Sequence, residues 1–240
     1  MMFKKLLLVL IIFQTFASGL CWGQEDLSEF KEIFFKTEKF YKERDNYSFN
    51  VTYEFYDPQS PKIAAETMNG RIEKKGSNYY TQIGPTEIIY LDEIFLKINH
   101  QEKAVLYSKV PNKKMTTPVD ITALVDYFQT VKISEKENII ICEMVFKEKS
   151  NIPYTRMTMI LDSKNYSIIR QELYMRQGVN YPSMAAGNKK TTEGKMAISF
   201  SQDIQMPKSD VFNKLKYLSK TSKISLSKEL SSYDLYNQTQ

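Results

Sequence analysis

Tyr47-Ser48-Phe49-Asn50-Val51-Thr52-Tyr53-Glu54-Phe55-Tyr56 is the stretch that decides the fold. Phe49, Val51, Tyr53 and Phe55 alternate with Ser48, Asn50, Thr52 and Glu54. Successive side chains of a strand point to opposite faces, so this segment reads as a strand with one apolar and one polar face. Asp57-Pro58-Gln59-Ser60-Pro61 stops it. On its N-terminal side, residues 25–43 repeat Leu27, Phe30, Ile33, Phe34, Phe40 and Tyr41 at helical spacing among charged residues. That pattern predicts an amphipathic helix, and Asp45-Asn46 turns it into the strand.

Downstream, the period of two continues. Strands are expected at 65–75 and 78–83 around Lys75-Gly76-Ser77-Asn78, then at 87–91, 94–98 and 104–108. Pro118–Phe128 breaks the series, with Ile121, Leu124, Val125 and Phe128 on one helical face. Strands resume at 130–135, 138–147, 155–162, 166–176 and 192–206, and the last sets Met196, Ile198, Phe200, Ile204 and Met206 on one face. A loop is expected at 177–191. The connections are too short for parallel crossovers, so the pairing is antiparallel. A twisted antiparallel sheet of this size curls. The expected class is α+β: a large curled antiparallel sheet forming an incomplete, half-open β-barrel, with the N-terminal amphipathic helix and the short inserted helix as its lid.

The chain has 240 residues, 42% hydrophobic and 25% charged, within the range of ordinary globular domains. Lys4 and Lys5 precede the apolar run Leu6–Phe13. That run is far short of the roughly 20 residues of a membrane span, so residues 1–23 read as a secretory signal, cut after Gly23 or after Gly19. Cys21 follows Leu20 where a lipidation signal requires a small residue, which favours a soluble exported protein over a lipoprotein. Without residues 1–23, Cys142 is the one cysteine left and no internal disulfide is available. The formal charge of +5 falls to +3 once Lys4 and Lys5 are removed, with no concentrated basic footprint of the kind nucleic acid requires.

The order of these elements resembles the periplasmic outer-membrane lipoprotein carrier and receptor superfamily, the LolA/LolB-like fold. The resemblance is carried by Phe40-Tyr41 leading into Tyr47–Tyr53, by Asn69-Gly70-Arg71-Ile72 with Asn78-Tyr79-Tyr80, and by Leu91–Asn99. Leu161-Asp162 and Asp210-Val211-Phe212 follow in the family's order. Glu93 stands in a turn where the family commonly has Gly, and Arg44 and Arg71 are, by neighbourhood alone, the candidates for its cavity arginine. The resemblance covers about residues 25–215. With the signal at 1–23, the chain divides into that signal, a half-barrel domain at 24–215 and a C-terminal extension at 216–240, the last adding a strand or docking on a partner. The resemblance implies a periplasmic, non-enzymatic binding protein that shields lipid or lipoprotein acyl chains, with peripheral membrane contact. The alternative is a structural component of an envelope or secretion complex, using the barrel edge and the C-terminal tail.

The residues admit two readings of the apolar alternation. Phe49, Val51, Tyr53 and Phe55, with Ile72, Ile94, Leu96, Ile98 and Phe200, form either plain core or the lining of a lipid cavity. No catalytic constellation, cofactor motif or metal-ligand spacing occurs. His100 has no Cys or second His nearby and reads as an ordinary turn residue, and Asp92-Glu93 as solvated turn carboxylates. Cys142 lies in an apolar run and reads as core. Lys74-Lys75, Lys113-Lys114 and Lys189-Lys190 read as solubilising loop charges, or as a rim for anionic head groups.

Overall fold

Helix α1 (Trp22–Lys42) lies across the sheet that the rest of the chain builds. In the computed structural model, residues 22–58, 60–91, 93–109, 118, 122–176, 193–208, 210–220 and 224–238 are described. Residues 1–21 with Cys21, Asp92, Lys113-Lys114 and the 177–191 loop with Lys189-Lys190 lie outside them. Among the described residues no helix is long and apolar enough to cross a membrane.

The first hairpin series comprises β1 (Asn46–Tyr56), β2 (Ala64–Lys75), β3 (Asn78–Ile83), β4 (Thr86–Leu91), β5 (Ile94–Asn99) and β6 (Ala104–Lys109). The second comprises β7 (Phe128–Lys136), β8 (Ile139–Phe146), β9 (Tyr154–Asp162), β10 (Ile168–Met175) and β11 (Gly194–Phe200). With β12 (Asp234–Asn237) they form one open sheet in the order β12-β6-β5-β4-β3-β2-β1-β11-β10-β9-β8-β7. This is the expected half-open α+β architecture. β1 sits at its centre, pairing β2 on one side and β11 on the other.

Directly opposed residues of paired strands share a face, so the register separates the sheet's two surfaces. On the helix face, Phe49 opposes Ile72, and Tyr53 lies between Met68 and Ile198. Phe30, Ile33, Phe34, Phe40 and Tyr41 of α1 pack there with Val51, Met144, Met157 and Met159. The Phe30 ring meets Phe128 edge-on at 5.7 Å, and Tyr41 meets Tyr47 at 5.7 Å, so α1 spans from β7 to β1. Each large apolar side chain buried here contributes about 1.5–3 kcal/mol. The C-terminal end of α1 is held by Lys74, whose Nζ donates to the carbonyls of Tyr41 (3.2 Å), Lys42 (3.3 Å) and Arg44 (2.8 Å). These are carbonyls that a helix end leaves without partners of its own.

The reverse face carries a second core. Tyr80, Ile89, Leu96, Ile98 and Val105 are covered by Val211, Tyr217, Leu218 and Leu230 of the C-terminal segment. That segment leaves β11, bridges Gln205 to Ser48, and places the Lys208 N–H 2.6 Å from the buried Glu73 carboxylate. It ends by pairing β12 with β6 in parallel. The tail beyond residue 215 is therefore one wall of a core and adds an edge strand, and the sheet is mixed where pure antiparallel pairing was expected. On the other half of the reverse face, Arg170 bonds Glu54 (2.9 Å), Glu172 (3.1 Å) and Ser199 (2.6 Å).

Two elements differ from the sequence expectation. The strand expected to reach 206 ends at Phe200, and Ile204 and Met206 are exposed. Gln202 donates to the carbonyls of Ile168 and Phe200, and the Asp203 N–H donates to Ser201 Oγ. Such local side-chain bonds compete with a strand ladder. The inserted helix is a 3₁₀ turn over Thr122–Tyr127, and Phe128 already belongs to β7. Its Leu124 and Val125 pack against the first core.

Candidate functional site

The register sorts the nine residues named from the alternation onto two surfaces. Phe49, Val51, Tyr53, Ile72 and Phe200 lie in the first core, with half-buried Phe55 at its margin. Ile94, Leu96 and Ile98 are buried in the second core, on the reverse face. Leu96 opposes Ile89, which opposes Tyr80, whereas Phe95 opposes Tyr90, which opposes Tyr79 on the helix face. The nine therefore do not line one surface. β4 and β5 are apolar on both sides, and a one-residue change of phase moves every side chain to the other face.

The helix face has an apolar margin that no segment of α1 closes off. Phe55, Met68, Ile83, Tyr90, Met196 and Ile198 are all half-buried and all border the first core. Phe55 opposes Met196, and the Tyr90 and Phe95 rings lie 5.0 Å apart, so the margin runs from β11 across β1 to β5. The strip is built of thioethers, aromatic rings and branched aliphatics. Met fills irregular shapes and tyrosine offers an apolar body with a polar tip. Such a surface accepts hydrocarbon without specifying its shape.

Of the two candidate arginines, Arg44 lies beside this face and Arg71 does not. Arg71 lies on the reverse face beside Glu73, and its Nε is 2.5 Å from Glu73 Oε1. Arg44 stacks on the Phe40 ring at 3.7 Å and donates to the Phe40 carbonyl. Lys74 opposes Tyr47 and is the buried cation of the helix face. Burial pushes its amine below the ordinary lysine value, with Asp45 acting in the opposite sense. The alternation of β2 continued past Ile72 is the signal that would have found it.

Burial also pushes the hydroxyls of Tyr41 and Tyr53 up to about 12, despite the Ile168 N–H that donates to Tyr41 Oη at 3.0 Å. Burial likewise pushes the Cys142 thiol up to about 12, so this fully buried sulfur stays a thiol at neutral pH. His100 is more than a solvated turn residue. Its Nε2 lies 2.8 Å from Glu87 Oε1 and its Nδ1 3.0 Å from Tyr233 Oη, tying β4 and the C-terminal segment together. Among the described residues, no group of three His, Cys, Asp or Glu is placed to hold a metal.

No family model matches this sequence, and no curated protein does. Solved structures do match. A LolA-superfamily protein of Nitrosomonas europaea is 13% identical, with 77% of this chain and 97% of that one covered and a TM-score of 0.36. An outer-membrane lipoprotein-sorting protein domain of Vibrio parahaemolyticus is 14% identical, with 80% and 97% covered and a TM-score of 0.37. The lipoprotein LppX of Mycobacterium tuberculosis is 8% identical, with 74% and 94% covered and a TM-score of 0.36. All three likenesses lie below 15% identity and below a TM-score of 0.4.

Proposed function

We propose that this protein is an exported, periplasmic binding protein that shields the acyl chains of a lipid or lipoprotein on the helix face of its half-barrel. The observation that supports this reading is the half-buried apolar margin of Phe55, Met68, Ile83, Tyr90, Met196 and Ile198. A carrier needs apolar surface that is neither sealed in the core nor fully exposed. Each acyl CH₂ covered by such a surface contributes about 0.8 kcal/mol, so eight of them supply roughly 6 kcal/mol before ordering costs. No charged chemistry is needed for that step, and the function we assign is non-catalytic. The secretory signal read in residues 1–23 sets the compartment.

Native mass spectrometry of the mature protein purified from its own envelope fraction, followed by organic extraction, tests the reading. A stoichiometric lipid or acylated peptide is expected on the wild type and absent from Met196→Glu, which sets a carboxylate in the margin opposite Phe55. Ligand-free wild type held in a larger assembly would replace this reading with the envelope-complex alternative.

A further inference from the structure

The segment Ser150–Tyr154, together with Met175 and Arg176 at the end of β10, lines an open cavity of about 470 Å³. That volume lies within the range of small-ligand cavities. One wall is hydrocarbon: Ile152 and Tyr154 pack against the first core, and the Tyr154 ring lies 6.3 Å from Phe146. The opposite feature is a cation. Arg176 Nε donates to the Ile152 carbonyl at 3.4 Å, and Nη2 donates to the carbonyls of Lys147 and Tyr154 at 3.3 Å each. Its backbone N–H donates to the Pro153 carbonyl at 2.8 Å.

These bonds orient the guanidinium, and every acceptor it meets among the described residues is a neutral carbonyl. Among the described residues, no carboxylate lines the cavity. A guanidinium carries five N–H donors in a fixed fork, more than these three bonds use. A positioned cation with spare donors beside a hydrocarbon wall is complementary to an anion that carries an alkyl chain.

We propose that this cavity binds the anionic head of a single-chain amphiphile, a carboxylate or a phosphate held by Arg176, with its first methylenes against Ile152, Tyr154 and Met175. The proposal deepens the acyl-chain reading above and rests on it. Nothing local in the sequence marks the site, since Arg176 is one basic residue at the end of a strand. The cavity assembles only when the 147–154 connection folds back on β10.

Isothermal titration of the full mature chain with dodecyl phosphate, dodecyl maltoside and inorganic phosphate tests it. The expected result is tighter binding of dodecyl phosphate than of dodecyl maltoside, which has the same tail and no charge. Arg176→Gln should weaken dodecyl phosphate by about tenfold or more and leave dodecyl maltoside unchanged. Because Arg176 also braces the 147–154 connection, Ile152→Glu is the second variant. It leaves the guanidinium in place, brings a carboxylate to the cavity, and should weaken dodecyl phosphate more than dodecyl maltoside, which loses only the contact of its tail with Ile152. Equal binding of dodecyl phosphate by wild type and both variants would overturn the head-group site while leaving the acyl-chain reading intact. Failure of the wild type to bind either detergent would overturn both. Inorganic phosphate binding as tightly as dodecyl phosphate, and losing affinity in Arg176→Gln, would overturn the amphiphile in favour of a free anion.

Discussion

Replacing Lys74 by Met removes the donor that three carbonyls at the end of α1 share. The Tyr41, Lys42 and Arg44 carbonyls sit 2.8 to 3.3 Å from Nζ, and Met keeps the length of the side chain without the donor. Stranding buried acceptors costs about 1–3 kcal/mol, and losing a cation from a helix C-terminus about 0.3–1 kcal/mol. Relief from burying an ammonium works the other way, which the depressed Lys74 amine already signals. The balance is a loss of about 2 kcal/mol. For a chain of this size, 1 kcal/mol moves the melting temperature by about 2–4 °C, so Lys74→Met should melt about 4–8 °C lower by scanning calorimetry. Hydrogen exchange of the α1 amides should accelerate more than that of β8 and β9, because the helix loses its tether while the sheet keeps its ladder. A melting temperature within 1 °C of wild type, with α1 exchange unchanged, would refute the claim that Lys74 fixes the helix on the sheet.

Two further outcomes follow from the cores. Tyr41 and Tyr53 have folded-state values raised to about 12, so the stability they contribute as neutral phenols is complete below about pH 10 and is lost as pH climbs from 10 towards 12. The urea midpoint should fall across that window, and Tyr53→Phe should reduce the slope; a midpoint that rises there would contradict the assignment. Tyr217 is 2% exposed and donates to the Val211 carbonyl at 3.0 Å. Its replacement by Ala should cost about 3–5 kcal/mol, the range for buried aromatics, and a loss below 1 kcal/mol by urea denaturation would show that the C-terminal segment does not seal the second core.

How much of this was legible in the sequence depends on whether a segment has one apolar face or two. β1 alternates cleanly, so its face, its neighbours and its place against α1 could be read directly. Ile88-Ile89-Tyr90-Leu91 and Ile94-Phe95-Leu96 offer no phase, because the helix face and the C-terminal segment both press on them. Ile94, Leu96 and Ile98 therefore go to the reverse face and Tyr90 to the helix face, a distinction that no local pattern carries. Lys74 reads locally as half of a charged pair next to a turn. Its role depends on a helix end more than thirty residues away. The C-terminal segment carries no strand period at all, since it covers apolar surface with single side chains from irregular backbone.

The position of β12 constrains the order in which the molecule can be completed. A chain made from its N-terminus has assembled β3 to β6 long before Tyr217, Leu230 and the β12 residues exist. Until they arrive, Ile89, Leu96, Ile98 and Val105 face water on a sheet whose β6 edge is also open. β1 waits as well, because its partner β11 lies some 140 residues later. Pairings this distant form slowly, so the growing chain is a sticky intermediate whose last segment acts as its own chaperone. On the exported reading proposed above, such lateness is an advantage: nothing compact forms that would have to be pulled apart during passage through the membrane.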